Sequence, residues 1–514
     1  MASILTLISS QSKSSIIIVL VLVPISLFVF LYSQRFKSNV PVYNPKRFWE
    51  FTTMRAKQDF DANATTWLRK WFSQYPNTPI RLIADSGYCT VLPPAMGNEL
   101  RKTKEIDMYA FIKSSYHVHL PGFDGLREEC SESHLIPKVI LIHLSKNIAK
   151  MTEPMAAESG AAVSDIFGEE TEWHVAPLYQ QCLDFVSRTA SHTFLGEKLY
   201  RNKEWQAVTK EHAITVAVAA RELRYWPAPL RPLIHRFGHK GRQLRSQVQR
   251  TRALIEPVLE ERRAEQAMCA AQGIDPPEYN DTLQWFEDVA AGKPYDPVGA
   301  QLAMAFASIY ATTDLLVGVI ADLCRHPEII EPLRDEIRAV IGKQGWTQAA
   351  IVNLKLLDSC LKETQRMKPV ESATMRSEAT RDITLSDGTR LPKGEVVAVS
   401  ATRMMDPNVY EDPEKWDGYR YLRWRNQPEM EAIAQLASTS ADSYGFGWFP
   451  RACPGRFFAA HGLKIALAYI LIRYDINPVE GEGLKFFCHS FVNRVHPATR
   501  IMLRRRDEDL STEL

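Results

Sequence analysis

The residues of this 514-residue chain best suited to chemistry gather in one stretch, FGWFPRACPGRFFAAHG, residues 446–462. A cysteine sulfur acts as a nucleophile or metal ligand in its thiolate form, which nearby positive charge and helix N-termini favour. Cys453 has both in prospect: Arg451 and Arg456 flank it, and the run after Pro454 reads as a helix whose first amides face the sulfur. Two readings stand at this point, a ligating thiolate and a small buried core residue, because free cysteine is among the most buried residue types. Upstream, Glu363 and Arg366 in ETQR are three residues apart. On a helix that spacing makes either a buried ion pair or a solvated surface pair.

The elements that must position these groups read as mainly helical. Hydrophobic content of 45% suffices for one large core. Residues 297–324 are apolar nearly all round and read as a central core helix. Gln301, Ser308, Thr312, Thr313 and Asp314 speak against the alternative, a membrane span. The strand signal concentrates at residues 381–401, where DITLSDGTRLPKGEVVAV alternates about the turn pair Asp387-Gly388. Residues 406–425, with Pro407 and Pro413 among many aromatics, read as an ordered loop rather than a helix.

Net charge is +2, which provides no broad footprint for nucleic acid. Eight widely spaced cysteines with no C-x-x-C pair point away from a zinc site or disulfide framework and toward a reducing compartment. G-x-S-x-G, H-E-x-x-H and P-loop patterns are absent from the sequence. Asn63 and Asn280 open N-x-T sequons, read as chance matches on a cytosolic body. Residues 14–33, SSIIIVLVLVPISLFVFLYS, carry no charge and are long enough to cross a bilayer. The competing reading is a cleaved signal peptide, but no small-x-small cleavage site follows. One cation, Lys13, precedes the run, while Arg35, Lys37, Lys46 and Arg47 follow, which puts the body on the cytosolic side. The expected organisation is a short lumenal N-terminus (1–13), an anchor (14–33), a Pro-containing linker (34–50) and a catalytic domain (51–514).

Phe446-Gly447, then Arg451-x-Cys453-x-Gly455 and RFFA at 456–459, resemble the haem-binding loop of the cytochrome P450 family. ETQR resembles that family's Glu-x-x-Arg helix, and the resemblance to fungal secondary-metabolism members extends from the anchor to the chain's end. It implies a mainly α fold with a small β portion, preceded by one transmembrane helix. It implies a single-pass endoplasmic reticulum enzyme with a cytosolic catalytic domain. It also implies haem b (iron protoporphyrin IX) with Cys453 as axial iron ligand, and a membrane-bound NADPH-cytochrome P450 reductase as electron source. The substrate would be a lipophilic terpenoid, indole-terpenoid or polyketide-derived scaffold, oxidised with O2.

Residue by residue, the resemblance puts Arg451 and Arg376 near haem propionates and makes Phe446, Gly447 and Gly455 part of the cofactor loop. Glu363, Arg366 and Arg420 would form a buried ion-pair network. Arg451, Arg456 and Lys464 would present a basic face to the reductase, and residues 370–374 would line the substrate side. Two positions depart from the family pattern. Phe449 stands where a Gly is usual, and Tyr310-Ala311 stand where many members have an acid–alcohol pair. Thr312 or Tyr310 is therefore the expected proton relay, against the alternative that Thr312 bonds back to its own helix. Desaturation, rearrangement or coupling by the same haem-thiolate centre remains open, as does a catalytically silent haem-binding protein.

Overall fold

In the computed structural model, which describes residues 36–507, the apolar run expected at the core is one 29-residue helix, Pro297–Arg325. The expected anchor at 14–33 lies outside the described residues. Asp296 starts the central helix, its carboxylate accepting the Val298 amide at 3.1 Å, with Pro297 in the first turn and Arg325 in the last. The helix is long and apolar enough to cross a membrane, but 67% of its most apolar window is buried in the fold. It is a core helix.

The elements around it are numbered along the chain. Helices α1 (Met54–Gln74), α2 (Met108–Tyr116), α3 (Asp124–Glu129), α4 (Leu178–Leu195), α5 (Lys203–Arg224) and α6 (His239–Gln272) precede the central helix, α7. Helices α8 (Lys355–Met367), α9 (Arg420–Arg425) and α10 (Arg456–Arg473) follow it. Helices α3, α4, α5, α8 and α10 all pack on α7. The strands include β1 (Ile80–Ala84), β2 (Gly87–Leu92), β3 (Ile106–Asp107), β4 (Ala373–Ala379), β5 (Ile383–Thr384), β6 (Arg390–Leu391), β7 (Val396–Ser400), β8 (Phe486–His489) and β9 (Val492–Val495), and a separate three-stranded sheet is made by His174–Ala176, Tyr474–Pro478 and Ile501–Arg505.

A five-stranded sheet in the order β1-β2-β7-β4-β3 flanks the helices, with β2 and β7 parallel and the other pairs antiparallel. The turn pair Asp387-Gly388 does make a hairpin, β5 with β6, and Gly388 takes φ 84°. Strand content reaches well beyond 381–401, however. β1 and β2 are short and buried almost throughout, so they lack the alternation that marks a half-exposed strand. The segment 406–425 is irregular until its last six residues, which form α9 and not loop. Asn63 lies within α1, and the hydroxyl of Thr282 in the second sequon is buried, donating to the Phe194 carbonyl at 2.8 Å.

Candidate active site

Helix α8 presents Glu363 and Arg366 inward. Its N-terminus is capped by the Glu336 carboxylate, which accepts the Leu356 and Leu357 amides at 2.7 and 3.0 Å. Glu363 is fully buried and receives Arg366 Nε and Nη2 at 2.8 Å each. Arg420, the first residue of α9, adds Nε at 3.1 Å to each carboxylate oxygen. The second nitrogen face of Arg366 is satisfied by the Met404 carbonyl at 2.7 Å. The three residues form one buried network that ties α8 to the segment before the cysteine loop.

That loop turns on glycine. The Cys453 amide donates to the Phe446 carbonyl at 2.8 Å, and Gly447 takes φ 71° between them. A Cβ at Gly447 would stand 2.7 Å from the Arg451 carbonyl oxygen, so no other residue fits. Phe449, the departure from the family pattern, is not among the residues with positive φ; its carbonyl accepts Arg101 Nη1 at 2.9 Å. Helix α10 begins at Arg456, two residues later than the expected start at Pro454, with Gly455 as its N-cap. A Cβ at Gly455 would meet only the Cys453 Sγ, at 4.0 Å.

Cys453 is exposed as a residue, although its thiol group is largely surrounded by protein. Its thiol pKa is raised, first by burial, with the Gly455 amide and the Arg456 charge opposing part of the shift. Arg456 donates to the Cys453 carbonyl at 2.9 Å. Arg451 does not act on the sulfur. It turns inward to the Ser377 hydroxyl and the Thr103 and Ile106 carbonyls, and it has no carboxylate partner among the described residues. The sequence also gave no hint of Glu129 on α3. Burial pushes its carboxyl up to about 7, and its charge acts on Cys453.

On α7, Ala307 and Ala311 are exposed in the middle of the core helix, and Ser308, Thr312 and Leu315 beside them are half-buried. Their spacing puts all five on one face. Two hydroxyls bond back to the helix: Ser308 to the Met304 carbonyl and Thr313 to the Ile309 carbonyl, each at 2.8 Å. Thr312 has no such bond. Tyr310 sends its hydroxyl to the Lys210 carbonyl of α5 at 2.9 Å. The Arg376 side chain is aimed by a bulge: Met375 and Arg376 together oppose Ala398 where the β4–β7 register shifts, with Met375 at φ 55°. Its guanidinium pairs with Glu371.

The family model for cytochrome P450 matches residues 138–502, which take in α7, the Glu-x-x-Arg helix and the cysteine loop. The chain belongs to the cytochrome P450 family. It is 55% identical over 484 residues to dihydromonacolin L monooxygenase mokC of Monascus pilosus, covering 94% of this chain and 92% of that protein. It is 54% identical, with the same coverage, to dihydromonacolin L monooxygenase LovA of Aspergillus terreus. It is also 54% identical over 474 residues to dihydro-ML-236C monooxygenase mlcC of Penicillium citrinum, covering 92% and 91% of the two chains. This P450 is a monooxygenase of the fungal secondary-metabolism type, and its family works with haem and with electrons from a redox partner.

One expectation about this P450 is corrected. Lys464 cannot face a reductase: it is 6% exposed and paired with Asp358 at 3.2 Å. Arg451 is turned inward as well, which leaves Arg456 of the three cations expected on that face. Gly445 and Gln365 went unread in the sequence. A Cβ at Gly445 would lie 2.0 Å from the Gln365 side-chain oxygen, so the Glu-x-x-Arg helix sits directly against the chain that leads to Cys453.

Proposed function

We propose that this P450 oxidises a lipophilic polyketide-derived scaffold, using haem b bound through Cys453 and electrons passed from NADPH by an NADPH-cytochrome P450 reductase. The observation that carries the proposal is the Phe446–Cys453 turn, which holds the exposed residue Cys453 beside the Gly455 amide and the Arg456 charge. The fit to haem is supported by two further features. Arg451 is a half-buried guanidinium with no carboxylate among the described residues, suited to a propionate. The exposed alanines of α7 leave room for a flat ring. When bound, the haem supplies oxygen activation, and thiolate ligation favours O–O cleavage.

The chain's own residues do the rest. Arg376, held by the bulge, is the second candidate for a propionate, and Gly447 and Gly455 keep the loop close. Thr312 Oγ1 is the proton-holding group we assign, because its hydroxyl makes no bond to its own helix, whereas Tyr310 is committed to Lys210. Ala311 offers a methyl group where many relatives have an alcohol, which favours desaturation or coupling as the second reading, to be told apart by product mass. The scaffold is inferred from the names of the relatives, which act on dihydromonacolin L and dihydro-ML-236C. The enzyme is assigned to the endoplasmic reticulum membrane through residues 14–33, with 34–50 as linker and 51–514 in the cytosol.

The test is a carbon monoxide difference spectrum of reduced microsomes, wild type beside Cys453→Ser. The expected result is a red-shifted Soret band in the wild type and its loss in the variant. The same band in both would remove Cys453 as the ligand.

A further inference from the structure

The cysteine loop turns one aromatic ring inward and another outward. The Arg451 amide donates to the Trp448 carbonyl at 2.9 Å, a reverse turn that puts Phe449 and Pro450 at its two central positions, both exposed. The turn is held on either side. The Gly447 amide donates to the Tyr444 carbonyl and the Cys453 amide to the Phe446 carbonyl, each at 2.8 Å, and Arg101 Nη1 holds the Phe449 carbonyl at 2.9 Å. Trp448 is half-buried, with its ring 6.3 Å from that of Tyr444 and 4.4 Å from the Arg101 guanidinium. Phe449 is 66% exposed, and beyond the cysteine Phe457, in the first turn of α10, is 46% exposed. A single exposed aromatic is ordinary. Here two stand four residues to either side of Cys453, and one occupies a position where the family pattern has glycine and where so exposed a ring adds little to folding.

The charges beside these rings set the kind of partner. Arg101 donates to the Asn98 side chain at 3.0 Å and to Phe449, while Arg456 donates to the Cys453 carbonyl and lies 4.4 Å from the centre of the Phe457 ring. Neither guanidinium has a carboxylate partner among the described residues. Arg451 and Lys464 add nothing here, because both are turned inward. The face is therefore apolar at its centre with two uncompensated cations beside it, the complement of an apolar recess edged by carboxylates. Its location narrows the choice of partner. In the monooxygenase reading α7 faces the substrate, and the loop that carries the exposed residue Cys453 is the opposite wall, where a protein bringing electrons has to approach.

We infer that Phe449 is the anchor on which the electron-donating flavoprotein docks, its ring entering an apolar recess of that partner while Arg101 and Arg456 meet acidic groups at the rim. This deepens the monooxygenase reading and rests on it. Because the turn is already fixed by hydrogen bonds, the ring is presented with little freedom left to lose on docking. Affinity then resides mainly in the ring and in the dissociation rate, and the two cations act on approach and on salt dependence. Truncating a central aromatic anchor of this kind costs about thirtyfold in affinity.

The experiment uses the full-length, haem-loaded enzyme in lipid discs and a fungal NADPH-cytochrome P450 reductase lacking its membrane anchor, added from solution. Interferometry on immobilised discs gives Kd and the dissociation rate, and the carbon monoxide band formed with NADPH gives the rate of electron delivery. Phe449→Ala is expected to weaken binding about thirtyfold through faster dissociation, with the band formed by dithionite unchanged, and Phe449→Trp to keep wild-type binding. An unchanged Kd in Phe449→Ala overturns the inference. Loss of the dithionite band in that variant also overturns it, because the ring would then be a prop for the loop. So does a wild-type Kd that weakens more than about tenfold from low to high salt, because charge would then be the anchor. A wild type without a dithionite band would instead overturn the haem-thiolate reading, and interferometry reports on Phe449 without reference to that band.

Discussion

Replacing Glu363 by glutamine tests the buried network most directly. Both carboxylate oxygens are fully used, by Arg366 at 2.8 Å and by Arg420 at 3.1 Å, and one also accepts the Asp417 amide at 3.2 Å. Glutamine keeps one acceptor oxygen and turns an amide NH2 donor toward two guanidiniums whose side chains are only 1% and 4% exposed. Removing one partner from a buried charged pair costs about 3–5 kcal/mol, mostly through the charges left behind. Unfolding entropy of about 2 cal/mol/K per residue gives a chain of this size about 1 kcal/mol/K, so the melting temperature should fall by about 3–5 °C. The assay is far-UV circular dichroism of full-length protein in lipid discs at matched haem content, with scan rate varied to expose irreversibility. A companion variant, Glu363→Leu with Arg366→Met and Arg420→Met, removes all three charges and should recover part of the loss. A Glu363→Gln melt within about 1 °C of wild type would refute the reasoning, because the guanidiniums would then have found other compensation.

Two further outcomes are expected. Thr312→Ala should release severalfold more hydrogen peroxide per NADPH consumed, while Ser308→Ala, whose hydroxyl already serves its own helix, should not; equal coupling in both would remove Thr312 from proton delivery. His461 is buried, contacts Thr152 Oγ1 at 2.8 Å, and is pushed down to about 3 by burial and then by Lys464. Its folded pKa lies below the unfolded value of about 6.5, so its contribution is present above that pH and is lost as pH falls from there toward 3, by up to about 1.4 kcal/mol per unit. His461→Gln should flatten that acid limb in urea unfolding, and parallel pH profiles for the two proteins would count against the assignment.

The parts of the site that were legible in the sequence are those fixed by short-range spacing. Glu363 and Arg366 share a face because they are three residues apart on a helix, and the Phe446–Gly455 string has to turn back on itself to present a thiol. What stayed hidden depends on pairings distant in sequence. Arg451 and Arg456 look equivalent on either side of Cys453, yet strand β3 and Ser377 draw one inward while the other stays beside the sulfur. Lys464 reads as a surface cation on α10 until Asp358, from another helix, is brought to it. Buried strands such as β1 lack the period-two signal, and Glu129 carries no local mark at all, since its raised pKa comes from burial alone.

The contact between Gly445 and the side chain of Gln365 constrains how this enzyme can vary. A methyl group at 445 and a long side chain at 365 compete for the same volume, so the two positions should change together. Shortening Gln365 to alanine would create the space that admits alanine at 445, whereas alanine at 445 alone would push against α8 and displace the turn that ends at Cys453. A library randomised over the cysteine loop while α8 is held fixed would therefore keep glycine at 445. One that samples both positions would open a second set of solutions.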